Sequence, residues 1–292
     1  METVALRLLL GVALSAVVGA VGYWRQSLTP GGVAGAVIVG SLIFGLGGWI
    51  WGLLLVTFFV SSSLLSHYRH RDKEAVAEKF AKGGRRDLGQ ALANGGMGAI
   101  LAIAYFASPE PALLAAYLGV MATVNADTWA TELGVLSRVP PRLITTGAEV
   151  PTGTSGGITS LGTWASVAGA LLIGAMATAL TQFGSLVGGR GWDARALAYP
   201  ILAVAGGMAG SLFDSLLGAT VQGIYYCDYC GKETENALHR CPPALRAPQG
   251  PEGGHAARPL RGWLWLNNDL VNFIASIVGG IMAATLGWLF WR

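Results

Sequence analysis

The chain has 292 residues, 53% of them hydrophobic and 12% charged, with a formal net charge of +3. Globular domains carry roughly 25% charged residues, so a soluble core of this size is excluded and a lipid environment is implied. A charge this small is explained by basic loops at one membrane face, and no nucleic-acid partner is expected.

Apolar runs near the bilayer length of about 20 residues recur along the chain. They predict an all-α, polytopic membrane bundle of about eight helices, forming a single transmembrane domain over 1–292. The predicted spans are 3–22, 31–47, 49–66, 89–107, 111–137, 160–186, 196–224 and 263–291. The first run lacks a basic segment ahead of it and a cleavage site, so it reads as a retained helix and not as a signal peptide. The 43 glycines are spread through these runs, where small residues let neighbouring helices approach closely. Gly47-Gly48 and Ser108-Pro109-Glu110-Pro111 make tight links between antiparallel helices. The longer polar stretches, 23–30, 67–88, 138–159 and 225–262, then fall on one side. They hold fifteen of the nineteen Lys and Arg residues, which places that side in the cytoplasm and both termini outside.

Four acidic residues, Asp127, Glu132, Asp214 and Asp269, lie inside predicted spans, where a charge costs about 3 kcal/mol or more unless paired or hydrated. Each belongs to a polar cluster. The fifth span ends in Asn125-Ala-Asp127-Thr-Trp-Ala-Thr-Glu132-Leu-Gly134, in which Asn125, Thr128 and Glu132 share one stripe and Asp127, Thr131 and Gly134 another. Before the sixth span, Gly153, Thr154, Ser155, Gly156 and Gly157 form a glycine and hydroxyl-rich turn whose backbone N–H groups suit an anion. It is not a Walker sequence. In the seventh span Ser211, Asp214, Ser215, Gly218 and Gln222 follow helical spacing on one narrow face. The eighth opens with Asn267-Asn268-Asp269-Leu-Val-Asn272, and carboxylates beside amide oxygens suit a hard cation such as Mg²⁺. Polar packing between helices, a capped loop and a helix cap are the plain alternatives at these positions.

Two loops add chemistry. Lys79, Lys82, Arg85 and Arg86 run into Gln90 and Asn94 of the fourth span and offer basic groups to phosphate oxygens, or to anionic lipid. All three cysteines fall in the 225–262 loop, too few for a disulfide framework. Cys227, Cys230, His239 and Cys241 offer a Cys₃His zinc knuckle that would brace the loop.

The Asn125–Gly134 string, the Gly153–Gly157 turn, Ser211-Leu-Phe-Asp214-Ser-Leu-Leu-Gly218-Ala-Thr-Val-Gln222 and Asn267–Asn272 together resemble an integral membrane family that includes the plant phytyl-phosphate kinase. Its eukaryotic members are called transmembrane-protein-nineteen-like, and it is distantly similar to dolichol kinases and phosphatidate cytidylyltransferases. The resemblance covers the chain from about Thr29 to the C-terminus. It implies a nucleotide-dependent kinase, with CTP the favoured donor, that converts an isoprenoid monophosphate (phytyl or another prenyl phosphate) into the diphosphate. On that reading Asp127, Glu132, Asp214 and Asp269 are the catalytic, Mg²⁺-binding acids. The glycine turn, Lys82, Arg85 and Arg86 hold phosphates, while Asn94, Asn125, Ser211, Ser215, Gln222, Asn268 and Asn272 position nucleotide and metal waters. A cytidylyltransferase would use a similar site and attack the α-phosphorus. A cation-coupled transporter would place its acids near the midplane of related halves, and the sequence has no such repeat.

Overall fold

The computed structural model describes residues 2–68, 85–239, 241 and 254–291. Its helices are α1 (Glu2–Trp24), α2 (Pro30–Leu42, continued by a π turn at Ile43–Gly47), α3 (Trp49–His67), α4 (Leu88–Ala107), α5 (Pro111–Gly134), α6 (Ser160–Val187), α7 (Tyr199–Thr220, entered through a 3-10 turn at Ala194–Ala198) and α8 (Asn268–Phe290). Seven of the eight are long and apolar enough to cross a membrane. The exception is α5, diluted by Asn125, Asp127, Thr128 and Glu132 near its end. It is nevertheless the centre of the bundle, buried continuously from Ala115 to Ala126 and packed against α3, α4, α6, α7 and α8. Shielded by its neighbours, α5 does not have to satisfy lipid.

The eight predicted spans are all present, with the largest shifts at two ends. The seventh span stops at Thr220 instead of 224, because Ile224 enters a strand. The eighth starts at Asn268 instead of 263, because Trp263 bridges to Gln222 and a turn intervenes. Between them the 225–262 loop folds into short strands. These are β3 (Ile224–Cys227), β4 (Lys232–Thr234) and β7 (Arg258–Arg261) in a β4-β3-β7 sheet, with β5 (Leu238–His239) paired to β6 (His255–Ala256). The 138–159 loop carries the two-residue pair β1 (Arg142–Leu143) and β2 (Gly157–Ile158).

Close helix crossing depends on glycine at the middle of the bundle. A Cβ on Gly119 would collide with the carbonyl of Gly279, and one on Gly279 with Thr123 Oγ1. Thr123 Oγ1 donates to the carbonyls of Gly119 and Gly206, at 2.8 and 3.2 Å. This junction clamps α5, α7 and α8 and fixes the height of the residues one to two turns further along.

Helix starts differ between the two faces. The helices that begin on the loop-rich face are capped by side chains: Thr29 for α2, Asp87 with Gln90 in a capping box for α4, Thr159 for α6 and Asn267 for α8. Those that begin on the opposite face, α3, α5 and α7, have no side-chain cap. The strand-like bridge Leu28↔Arg86 ties the entries of α2 and α4 together on the loop-rich face. The start of α1 and the end of α8 lie on the opposite face.

Candidate functional site

A cavity of about 340 Å³ opens on the loop-rich face, walled by the ends of α3, α5 and α7, the starts of α4, α6 and α8, and the glycine turn. This volume falls within the usual range for small-molecule sites. Asp127, Glu132, Asp214, Asp269, Arg86, Asn94, Gly153, Thr154, Ser155, Gly156, Gly157, Ser211, Ser215, Asn268 and Asn272 all line it. Residues separated by up to 186 positions in sequence thus meet in one recess.

Its acidic side is formed by Asp127 on α5, Asp214 on α7 and Glu235, which follows β4. The three carboxylates are close enough for their charges to act on one another. Asp127 and Asp214 make no hydrogen bond or ion pair with any described residue, and Asp214 Oδ2 is fully buried. A carboxylate oxygen buried without a partner is costly, and Asp127 and Asp214 beside a third acid are residues that could hold a cation. Among the described residues no three carboxylates gather within 4.8 Å of one another. Mg²⁺ is bound through one or two protein carboxylates and completes its shell with water and phosphate oxygens.

Glu132 and Asp269 stand apart from this group. Glu132 accepts a hydrogen bond from Ser66 on α3 and acts electrostatically on Arg86. It stands near Arg86, away from the Asp127–Asp214 pair. Asp269 occupies the first turn of α8, where a negative charge favours the helix start.

Two other parts of the cavity wall, the glycine turn and Arg86, suit anions. Gly153 and Gly156 have φ of +81° and +83°, and a Cβ on Gly156 would run into Ala219 backbone at the end of α7. Thr154 N–H is spent on Pro151 and Gly157 N–H on Thr154. The N–H groups of Gly153, Ser155 and Gly156 donate to no described residue. Arg86 is anchored through its backbone to Ser27 and Thr29, while its guanidinium donates to Ser63 Oγ at 3.1 Å. Burial lowers the Arg86 pKa and Glu132 partly offsets this; an arginine stays charged all the same.

Three expected site residues lie off the cavity wall. Asn125 is buried one to two turns deeper, donating to the Gly169 carbonyl at 2.7 Å and accepting from Ser61 at 3.0 Å. Arg85 turns away and donates to the Leu28 carbonyl, with Tyr23 beneath its guanidinium. Gln222 is buried behind the wall, where Oε1 accepts from Ser155 Oγ at 2.8 Å and Nε2 donates to Glu235 Oε1 at 3.0 Å. It is a positioning residue that couples the glycine turn to the acidic side. Lys82 lies outside the described residues. Sequence reasoning missed Glu235, and it did not select Ser66, Thr159 or Ser166, which also line the cavity.

Beside the cavity, the sulfur atoms of Cys227, Cys230 and Cys241 lie within 4.8 Å of one another. Cys227 and Cys241 are 3.6 Å apart, against roughly 3.7 Å for two sulfurs on one tetrahedral zinc with 2.3 Å bonds. The Cys227–Cys230 turn closes with Gly231 at φ +67° donating to the Cys227 carbonyl. Burial, then the neighbouring thiols, push Cys241 up to about 12. Cys227 is burdened by burial too, but donors from Cys230 and Cys241 outweigh it and hold the thiol below its ordinary value. His239 is buried on β5 and does not join this group, so the expected Cys₃His set reduces to the three thiols.

Fold and site define a multi-pass helical membrane protein with a small-molecule-sized cavity that combines acids, backbone N–H donors and an arginine. The chain belongs to the family described as integral membrane protein DUF92, whose model matches residues 13–280. It is 34% identical over 244 residues to Protein PGR of Arabidopsis thaliana, covering 77% of this chain and 83% of that one. An uncharacterized membrane protein of Methanocaldococcus jannaschii is 32% identical over 288 residues, 98% and 96% of the two chains. One from Synechocystis is 25% identical over 264 residues, 89% and 82%. The family-level resemblance carried by the four motifs is thereby borne out. No solved structure matches the chain.

Proposed function

We propose that this protein is a membrane-embedded phosphotransferase that passes the γ-phosphoryl group of a nucleoside triphosphate, CTP by the resemblance, to an isoprenoid monophosphate. The observation that carries the reading is the pairing, in one cavity, of two half-buried carboxylates that have no hydrogen bond or ion pair among the described residues, the Oδ2 of Asp214 being fully buried, with a turn of unspent N–H donors and an arginine. Phosphoryl transfer asks for this combination of charge neutralisation and positioning more than for covalent chemistry.

Asp127 and Asp214, with Glu235 beside them, would hold Mg²⁺, which when bound neutralises charge on the nucleotide phosphates. The N–H groups of Gly153, Ser155 and Gly156 would receive phosphate oxygens, and Gln222 keeps Ser155 and Glu235 in register through its two hydrogen bonds. Arg86 would bind the acceptor phosphate. An oxygen of that phosphate attacks the γ-phosphorus, the bond from γ-phosphorus to its bridging oxygen breaks, and the nucleoside diphosphate leaves with the electron pair. The acceptor is already ionised at neutral pH, so no strong general base is needed. The cavity face would be cytoplasmic, where nucleotide is available.

Zinc at Cys227, Cys230 and Cys241 would brace the β3–β7 sheet and hence Glu235, which lies between the second and third thiols in sequence.

Purified protein given Mg²⁺, a panel of prenyl monophosphates and CTP labelled at the γ-phosphate should yield labelled prenyl diphosphate, and none in excess EDTA. Label entering lipid only from α-labelled CTP would replace the kinase with a cytidylyltransferase. No transfer from any nucleoside triphosphate would overturn the reading.

A further inference from the structure

A second cavity, about 70 Å³, lies inside the membrane region between α1, α2, α3 and α4. Its walls are hydrocarbon from Val18, Val39, Phe44, Leu55, Val56 and Phe59. At one end its lining passes into that of the polar cavity, because Arg86, Gln90 and Asn94 belong to both. The Arg86 guanidinium sits at this junction, 5.7 and 5.8 Å from the ring centres of Phe58 and Phe59. Its side chain donates only to Ser63 among the described residues, so most of its five N–H donors are unspent. A charged, donor-rich head site and an apolar slot therefore share one wall.

We propose that the slot receives the phosphate-proximal carbons of a single-chain lipid phosphate whose head is held at Arg86. The proposal rests on the phosphotransferase reading for the identity of the head group. Its volume suits only a few carbon atoms. Val18, Val56 and Phe59 are only half-buried, so a longer chain continues between the helices into lipid. The arrangement sets the depth of the acceptor: a chain seated among α1–α3 leaves its phosphate facing the glycine turn and the acids across the cavity. The slot would discriminate among acceptors by the bulk of the first unit, whereas the distal chain would be read loosely.

The test uses the full-length protein in lipid nanodiscs and a C20 alkyl monophosphate carrying a diazirine on its third carbon. Photolysis should label peptides from 11–24, 30–47 and 49–67, and an excess of unmodified C20 monophosphate should suppress it. Predominant labelling of α5–α8, or labelling unaffected by the competitor, would overturn the slot. As a second measurement, Val56→Trp, which fills the slot, should lower kcat/KM for a C20 and a C5 prenyl monophosphate alike by tenfold or more; unchanged values count against the proposal. Labelling does not require turnover, so the two readings separate. Slot labelling without phosphoryl transfer retains the lipid-phosphate site and refutes the kinase, while transfer without slot labelling does the reverse.

Discussion

At the scale of single residues, the intramembrane acids were legible because lipid makes them expensive. Asp127 and Asp214 each announce a compensating partner, and the structure supplies none from the described residues. Asp214→Asn keeps the shape of the side chain and removes its charge, so the protein should insert and purify normally. Turnover should fall on the order of 10²–10³-fold, the scale of losing one electrostatic contact to a transition state. Near-wild-type turnover would demote Asp214 to packing. Glu235 was not legible, since an acid in an aqueous loop costs nothing and carries no periodic signal. Its place beside Asp127 and Asp214 predicts that Glu235→Gln lowers turnover and raises the Mg²⁺ concentration needed for half-maximal rate. An unaltered Mg²⁺ dependence would confine Glu235 to its hydrogen bond with Gln222. The residues placed wrongly have simple reasons. Consecutive side chains on an extended segment point to opposite sides, so Arg85 and Arg86 could not both face the cavity. Helical spacing was extended to Gln222 although α7 stops at Thr220. Asn125 shares a stripe with Glu132 but lies two turns deeper.

At the scale of elements, hydropathy located the helices and local signals located their starts. Pro30, Pro111 and Pro200 sit at first-turn positions, and Thr29, Asp87, Thr159 and Asn267 cap. Each such cap contributes about 1 kcal/mol, and together they fix where the cavity-facing helices begin. The strands of the 225–262 loop were hidden by their shortness: two to four residues carry no usable alternation. The thiol spacing was the one clue that this loop is built. If the thiols hold zinc, protein purified without chelator should contain about one zinc per chain, and Cys230→Ser should release it. Because metal binding requires deprotonated thiolates, zinc release should be promoted by acid. Thermal stability should fall on metal loss before activity does, as β3 and β4 loosen around Glu235. Finding no zinc by elemental analysis would leave three free thiols and would not touch the phosphotransfer reading.

At the scale of the whole molecule, the eight described helices alternate in direction, which puts the cavity, the 138–159 loop and the four side-chain-capped helix starts on one face and the start of α1 and the end of α8 on the other. The starts of α4, α6 and α8 bring their positive helix ends to the cavity, which favours anionic ligands there. Lys and Arg are concentrated in the loops of the same face, so the positive-inside bias and the need for a nucleotide pool point the cavity the same way. This predicts a definite accessibility pattern. Ala148 lies exposed in the loop beside the glycine turn, and Ala194 lies exposed in the loop between α6 and α7 on the opposite face. In intact cells a membrane-impermeant maleimide should modify a cysteine introduced by Ala194→Cys and spare one introduced by Ala148→Cys, which should react only after permeabilisation. Neither substitution removes a side chain engaged in a described hydrogen bond, so both variants should keep wild-type turnover and report on the working fold. The reverse pattern would place the acids, the glycine turn and Arg86 away from cytoplasmic nucleotide, and the proposed donor would then have no access to the site.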